Sequence, residues 1–121
     1  MAALVGDGGT LAPLQVLCRL ADLPEGTTRG FDLERDGAAT RIFLVNWDGV
    51  VHGYVNSCPH VGTPLDWLPD RFLSPDDAWV MCATHGALFR PEDGYCVFGP
   101  CAGLSLARVP LAIVDGEIRV A

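Results

Sequence analysis

The stretch RIFLVNWDGVVHGYV, residues 41–55, carries the strongest structural signal in this 121-residue chain. Two runs rich in β-branched and aromatic residues flank Asp48-Gly49, a dipeptide that suits the positive φ angles of a two-residue hairpin turn. Residues 112–120, AIVDGEIRV, repeat this pattern around Asp115-Gly116. The sequence therefore predicts two antiparallel hairpins, one central and one near the end of the chain.

The rest of the chain contains further short strands and many turn residues. Apolar segments of strand length occupy residues 14–20, 78–81 and 87–89, and fourteen glycines and nine prolines punctuate the chain. Residues 64–75 are where we expect a short helical turn or an irregular loop. Many short strands with this punctuation predict an all-β fold, either a sandwich or a small barrel.

Length and charge limit the organisation and the classes of partner. We expect a single domain over residues 1–121, in which residues 1–13 are a candidate flexible segment. The net charge of −7 argues against nucleic acid and an anionic membrane as partners. No stretch resembles a secretory signal, and no apolar run approaches the ~18 residues that span a membrane. We therefore expect a cytoplasmic protein, in which structural disulfides are rare.

Two short pairs of metal-binding residue types follow the predicted strands. Cys58-Pro59-His60 comes soon after the first hairpin, and Cys82-Ala83-Thr84-His85 comes directly after the segment 78–81. Thiolate and imidazole together are ligands for zinc or for an iron–sulfur centre, and not for calcium or magnesium. Because the chain has only three histidines and two belong to these pairs, we expect all four residues to bind one metal centre.

The spacing of the pairs leaves two kinds of metal centre open. Two cysteines and two histidines satisfy a tetrahedral zinc ion. However, zinc sites favour two cysteines in one pair and two histidines in the other, whereas each pair here mixes one of each. The mixed pairs suit a two-iron centre in which the cysteines bind one iron and the histidines bind the other.

The paired motif resembles the signature of Rieske-type [2Fe–2S] proteins, in particular their low-potential, ferredoxin-like subgroup. The wider segments CPHVGTPL at 58–65 and CATHGALF at 82–89 agree with this resemblance. The segment GYCVFGPC at 94–101 resembles the proline loop that closes over the cluster in this family. The resemblance covers the chain from about Val16 to its last residue.

The resemblance implies a fold, a cofactor and a role for each ligand. The fold would consist of stacked antiparallel β-sheets, with the cluster held by two loops at one tip. The cofactor would be one [2Fe–2S] cluster of the Rieske type. Cys58 and Cys82 would bind the inner iron, and His60 and His85 would bind the outer iron near solvent through their Nδ1 atoms.

Four positions depart from the high-potential members of the family. Those members carry an extra cysteine in each cluster loop, where this chain has Thr63 and Thr84. They also place Ser and Tyr hydroxyls against the cluster sulfurs, where this chain has Ala87 and Phe89. Hydrogen bonds to the sulfurs stabilise the reduced cluster, so their loss predicts a potential at the lower end of the roughly −150 to +300 mV Rieske range.

We therefore expect an electron-transfer protein and not an enzyme in its own right. It would pass single electrons from a reductase to a terminal acceptor such as an oxygenase, so its partners would be redox proteins. One alternative is a small Rieske subunit of a larger oxidoreductase, similar to an oxygenase or a nitrite reductase. A second alternative is a zinc-binding interaction module without redox chemistry.

Several residues of chemical interest remain outside the paired motif. We interpret Cys18, Cys96 and Cys101 as small apolar core residues and His52 as a structural residue. Four acids lie in the segment between the two pairs, and we interpret them as a solvated face, with a docking surface as the sharper hypothesis. These acids are Asp66, Asp70, Asp76 and Asp77.

Overall fold

Antiparallel strands dominate the computed structural model of the chain, which describes residues 16–35, 38–59, 65–66, 70–82 and 86–120. These residues form nine strands in three three-stranded sheets, with a 3-10 turn at Leu20–Asp22. The prediction of an all-β, antiparallel fold is confirmed. The strands are β1 (Val16–Arg19), β2 (Thr28–Arg35), β3 (Ala38–Trp47), β4 (Val50–Val55), β5 (Val80–Met81), β6 (Leu88–Phe89), β7 (Cys96–Phe98), β8 (Leu111–Val114) and β9 (Glu117–Val120).

Both predicted Asp-Gly hairpins are present. Strands β3 and β4 pair up to the turn, where φ is 56° at Asp48 and 82° at Gly49. Strands β8 and β9 pair in the same way, with φ of 53° at Asp115 and 78° at Gly116. Positive φ at both central residues is the requirement of the type I′ turn, which explains why this dipeptide occurs at both places.

Strand β3 lies in the middle layer of three stacked sheets. Its side chains Ile42, Phe43, Leu44 and Val45 are all at most 1% exposed. Alternate residues face opposite cores: Phe43 and Val45 pack with residues of β5, β6 and β7, whereas Leu44 packs with Ile118 of β9. A strand buried on both faces has an apolar run without polar alternation, which is the pattern of residues 42–45.

Strand β2 is a part of the middle sheet that the sequence analysis did not assign. It pairs with β3 along its whole length, from Thr28 opposite Val45 to Arg35 opposite Ala38. Its described side chains include exposed, charged ones, because β2 lies at the edge of its sheet. The sequence of β2 therefore has only a weak apolar pattern. Its place in the sheet is set by its pairing with β3.

The described residues of the segment 64–75 form no helix and none of the nine strands, which agrees with the expectation of an irregular loop. Phe72 from this segment stacks on Phe43 with ring centroids 4.3 Å apart, and Leu73 forms an isolated bridge with Val80. These contacts anchor the segment to the sheets on both sides. Residues 1–13 lie outside the described part of the chain, and no described helix is long and apolar enough to cross a membrane.

Candidate metal centre

The two predicted cysteine ligands are buried in the same core. Cys58 follows β4 and is 1% exposed, and Cys82 follows β5 and is fully buried. Both belong to the hydrophobic cluster between the middle sheet and the sheet of β5, β6 and β7. His60 and His85 lie outside the described residues, so their role as ligands stays a prediction.

The side chain of Asn56 connects the described residues on the two sides of the first loop, residues 58–64. Its Oδ1 accepts a hydrogen bond from the Leu65 N–H at 2.7 Å, and its Nδ2 donates to Asp66 Oδ1 at 3.1 Å. The Asn56 N–H in turn donates to the Arg41 carbonyl at 2.8 Å. One amide side chain therefore joins both ends of the loop and attaches them to β3.

The second loop, residues 82–87, is held closed by backbone hydrogen bonds. The Cys82 N–H donates to the Ala87 carbonyl at 2.9 Å, and the Gly86 N–H donates to the Cys82 carbonyl at 2.8 Å. Gly86 has a φ of 68°, a left-handed conformation that glycine adopts without steric cost. The loop is thus the end of a hairpin formed by β5 and β6.

The proline turn, residues 99–101, packs directly against the second loop. Gly99 has a φ of 107°, and a Cβ on it would lie 2.8 Å from the Cα of Ala87. The Ala102 N–H donates to the Gly99 carbonyl at 3.1 Å, which closes the turn. Only a residue without a side chain fits here, so the backbone of the turn can contact the loop that carries Cys82.

Two further cysteines lie beside the first candidate ligand. The Cys96 and Cys101 sulfurs are 3.2 Å apart as free thiols, and both residues belong to the same core cluster as Cys58. Burial and the hydrogen bond with Cys96 raise the pKa of Cys101 to about 12. Their interpretation as buried core residues agrees with their exposures of 1% and 0%. The sequence analysis missed that Cys101 shares a core with Cys58, because 43 residues separate the two cysteines.

The chemistry of these surroundings fits a metal–sulfur centre. Two buried thiols from different hairpins would supply sulfur donors, and sulfur donors suit an iron–sulfur cluster and zinc alike. Ala87 and Phe89 are fully buried in the same core and carry no hydroxyl group. Apolar surroundings disfavour the extra negative charge of a reduced cluster, which agrees with the prediction of a low potential.

The acids between the two pairs have specific structural partners. Asp70 Oδ1 accepts a hydrogen bond from the Gly30 N–H at 2.8 Å, which attaches the segment to β2. Asp76 accepts one from the Ser74 hydroxyl, and this bond lowers the pKa of the Asp76 carboxyl. With the contact between Asp66 and Asn56, three of the four acids position the segment. Asp70, Asp76 and Asp77 are also exposed, as the interpretation as a solvated face predicts.

His52 makes contacts that are consistent with its predicted structural role. Its Nδ1 lies 3.4 Å from an Arg108 guanidinium nitrogen, and its ring stacks on that of Tyr54 with centroids 6.4 Å apart. Burial lowers the pKa of His52, and the Arg108 charge lowers it further. The protein therefore favours the neutral imidazole at this position.

Comparisons with known proteins agree with the resemblance in the motifs. A family model described as the Rieske [2Fe-2S] domain matches residues 14–110. The ferredoxin of carbazole 1,9a-dioxygenase from Nocardioides aromaticivorans IC177 is 25% identical, with a TM-score of 0.68, and the match covers 90% of this chain and 96% of that chain. The search of the curated proteins returned no match.

Two further solved structures share the fold at lower identity. The Sphingomonas yanoikuyae B1 ferredoxin is 22% identical with a TM-score of 0.65, over 88% of this chain and 96% of that chain. The terminal oxygenase of carbazole 1,9a-dioxygenase from Novosphingobium sp. KA1 is 23% identical with a TM-score of 0.65. That match covers 89% of this chain but only 28% of the oxygenase. The same fold therefore occurs both as a separate ferredoxin and as one part of a larger chain.

Proposed function

Because this chain belongs to the Rieske [2Fe-2S] domain family, we propose that it is a carrier of single electrons from a reductase to a terminal oxygenase. One [2Fe–2S] cluster supplies the redox chemistry when it is bound, since it gains and loses one electron reversibly. The protein's own contribution is to hold the cluster, to limit its contact with water and to set its potential.

Four residues are proposed as the ligands. Cys58 and Cys82 would bind the inner iron, and His60 and His85 would bind the outer iron. The observation that carries the proposal is that two thiols from separate hairpins share one buried core, with the proline turn packed against one of their loops. In a Rieske centre two cysteines bind one iron and two histidines bind the other, so two buried thiols are enough.

The match covers most of a separate ferredoxin but only a part of an oxygenase. The match spans 96% of the ferredoxin from Nocardioides aromaticivorans but 28% of the terminal oxygenase from Novosphingobium. A mononuclear iron site of an oxygenase requires two further histidines and a carboxylate. Among these 121 residues, only His52 remains once His60 and His85 are assigned to the cluster.

We also propose that residues 1–121 form one Rieske domain located in the cytoplasm. The family match over residues 14–110 supports the single domain. The odd number of cysteines, five, does not suit a complete set of disulfides and supports a reducing compartment, where disulfides rarely persist.

Metal analysis and spectroscopy of the purified protein test the proposal. We expect a coloured protein with iron and acid-labile sulfide in equal amounts, one electron taken up per chain, and a rhombic EPR signal of low average g after reduction. A colourless, EPR-silent protein loaded with zinc would show that the chain is an interaction module. A cluster that is retained only when the chain is produced with a larger catalytic partner would support the subunit alternative.

A further inference from the structure

The sheet of β5, β6 and β7 carries a row of apolar side chains on its outer face. Met81, Leu88 and Phe98 lie opposite one another in the register of the three strands. Residues directly opposite on antiparallel strands point to the same face of a sheet. The neighbouring row faces the core and is at most 1% exposed; it consists of Val80, Phe89 and Cys96. Because side chains alternate between the faces, the row of Met81, Leu88 and Phe98, here called the apolar row, faces outward.

The exposure of these side chains increases across the row. Met81 and Leu88 are partly exposed, and Phe98 is 64% exposed, which is the highest value among the large apolar side chains described. Val97 beside it is 39% exposed, and Pro100 is exposed as well. Residues 94–107 contain no charged residue. An exposed aromatic ring in uncharged, apolar surroundings is typical of a surface that contacts another molecule.

The apolar row borders the second loop on both of its sides. Met81 directly precedes Cys82, and Leu88 directly follows Ala87, so the two ends of the loop join the row. Phe98 directly precedes Gly99, whose turn packs against Ala87. A molecule that covers the row would therefore lie beside the loop that carries one proposed iron ligand.

We propose that the apolar row is the docking surface for the electron-accepting partner, with Phe98 as its main contact, and that the matching surface of the partner is apolar and uncharged. The proposal rests on the proposed function, because an electron carrier must bring its acceptor close to the loops that hold the cluster. Electron-transfer complexes bury little surface, so one exposed aromatic residue can supply a large part of the contact.

The acidic segment between the two cysteine–histidine pairs is the competing surface. Its acids Asp66, Asp70 and Asp76 already accept hydrogen bonds from groups of this chain. They hold the segment in place, whereas Phe98 exposes most of its surface to water. The observations therefore favour the apolar row, and the experiments below distinguish the two surfaces.

Two cobalt(III) complexes of equal charge represent the acceptor in the first experiment. Tris(phenanthroline)cobalt(III) presents flat aromatic ligands, whereas hexaamminecobalt(III) presents only amines. Each takes one electron from the reduced cluster and becomes cobalt(II), and stopped-flow absorbance gives the rate constant. In Phe98→Ser we expect the rate constant for the phenanthroline complex to fall about three- to tenfold, through loss of an aromatic contact, and that for the ammine complex to stay unchanged. The ratio of the two rate constants cancels any change in the potential of the cluster.

Two further variants are the controls for Phe98→Ser. Phe98→Trp keeps an exposed aromatic ring and should restore the ratio. Val50→Ser removes a side chain that is 55% exposed at the start of β4, whereas Cys58 follows the other end of that strand. We expect Val50→Ser to leave both rate constants unchanged. An equal fall in Val50→Ser and Phe98→Ser, or an equal fall for both complexes, would overturn the proposal.

An NMR titration of the oxidised protein locates the contact without electron transfer. The phenanthroline complex should shift the amide signals of Leu88, Val97 and Phe98 more than the ammine complex does. If the shifts that are specific to the phenanthroline complex lie in residues 70–77 instead, the acidic segment is the docking surface and the proposal is wrong.

Failure of this proposal is distinguishable from failure of the proposed function. If the protein contains iron and sulfide but Phe98→Ser leaves the ratio of the rate constants unchanged, only the docking surface is wrong. If the protein contains no iron–sulfur cluster, it transfers no electron to either complex, so the proposed function fails first and the docking proposal fails with it.

Discussion

The two candidate ligand loops are closed by different kinds of bond. The loop that carries Cys58 depends on the side chain of Asn56, whose amide holds Leu65 and Asp66. The loop that carries Cys82 depends on backbone bonds within its hairpin. A single substitution can remove the first closure, whereas the second survives any side-chain change that keeps the backbone in place. The second loop instead packs against the proline turn, so a bulkier residue in that turn should disturb it.

The largest expected effect is loss of iron when the thiol of Cys58 or Cys82 is removed. The two loops should behave alike in this test. Cys58→Ala and Cys82→Ala each remove one of the two proposed thiolate ligands of the inner iron. We therefore expect iron content near zero in both variants, as measured by metal analysis of the purified proteins. Cys18→Ala, which alters a half-buried thiol elsewhere, should retain full iron content. Normal iron content in either ligand variant would contradict the assignment.

Gly99→Ala should disturb the second loop through the proline turn. The new Cβ would lie 2.8 Å from the Ala87 Cα, and the φ of 107° is unfavourable for alanine. We expect the free energy of unfolding to fall by about 3 kcal/mol or more in a urea titration.

Gly103→Ala is the matched control for this substitution. Its φ of 93° is also positive, but a Cβ there would meet nothing within 4 Å. We expect a loss of about 1–2 kcal/mol from backbone strain alone. Equal losses in the two variants would mean that the contact between the turn and the second loop contributes nothing to stability.

Asn56→Ala should weaken the first loop and leave the second intact. It would leave the fully buried Leu65 with an unpaired N–H, at a cost of about 1–3 kcal/mol in the free energy of unfolding. We also expect faster transfer of iron to a chelator, because the loop that carries Cys58 loses its closure.

Asn46→Ala is the control for Asn56→Ala, because it removes a buried amide that lies away from the first loop. Asn46 is also buried, and its Nδ2 donates to the Leu23 carbonyl at 2.8 Å in another part of the molecule. We expect a similar loss of stability but an unchanged rate of iron transfer. If both variants release iron equally fast, Asn56 has no specific role at the first loop.

The smallest effect concerns β4, the strand that leads into the first loop. The pKa of His52 is lowered in the folded protein by burial and by Arg108, so the unfolded chain binds this proton more readily. The stability from this group is complete above the ordinary histidine pKa of about 6.5 and is lost progressively as the pH falls from there through the lower pKa of the folded protein. His52→Gln should therefore show a shallower loss of stability between roughly pH 7 and pH 5.

Urea titrations of both proteins at several pH values measure this difference. His60 and His85 are present in both proteins, so their titration cancels in the comparison. Identical pH dependence in the two proteins would show that His52 does not couple protonation to folding.

Local patterns in the sequence predicted a large part of this molecule. Asp48-Gly49 and Asp115-Gly116 predicted two hairpins because the turn requirement lies within two residues, and both hairpins are present. The cysteine–histidine pairs predicted a metal centre for the same reason, since each pair spans at most four residues. By contrast, β2 was not predicted, because an edge strand has a weak apolar pattern.

Only the tertiary structure decided which hydrogen bonds join the ends of the two loops and which residues pack around the site. The Asn56 amide bonds to Leu65 nine residues along the chain, Gly99 packs against Ala87 across two strands, and Cys101 lies in the same core as Cys58. An asparagine, a glycine or a cysteine has no local pattern that reveals such a partner. The sequence by itself therefore determined the two Asp-Gly hairpins and the candidate ligand types, since these depend on neighbouring residues. Packing of the sheets decided which groups hold the loops and share a core with Cys58, since these contacts form between residues far apart in the chain.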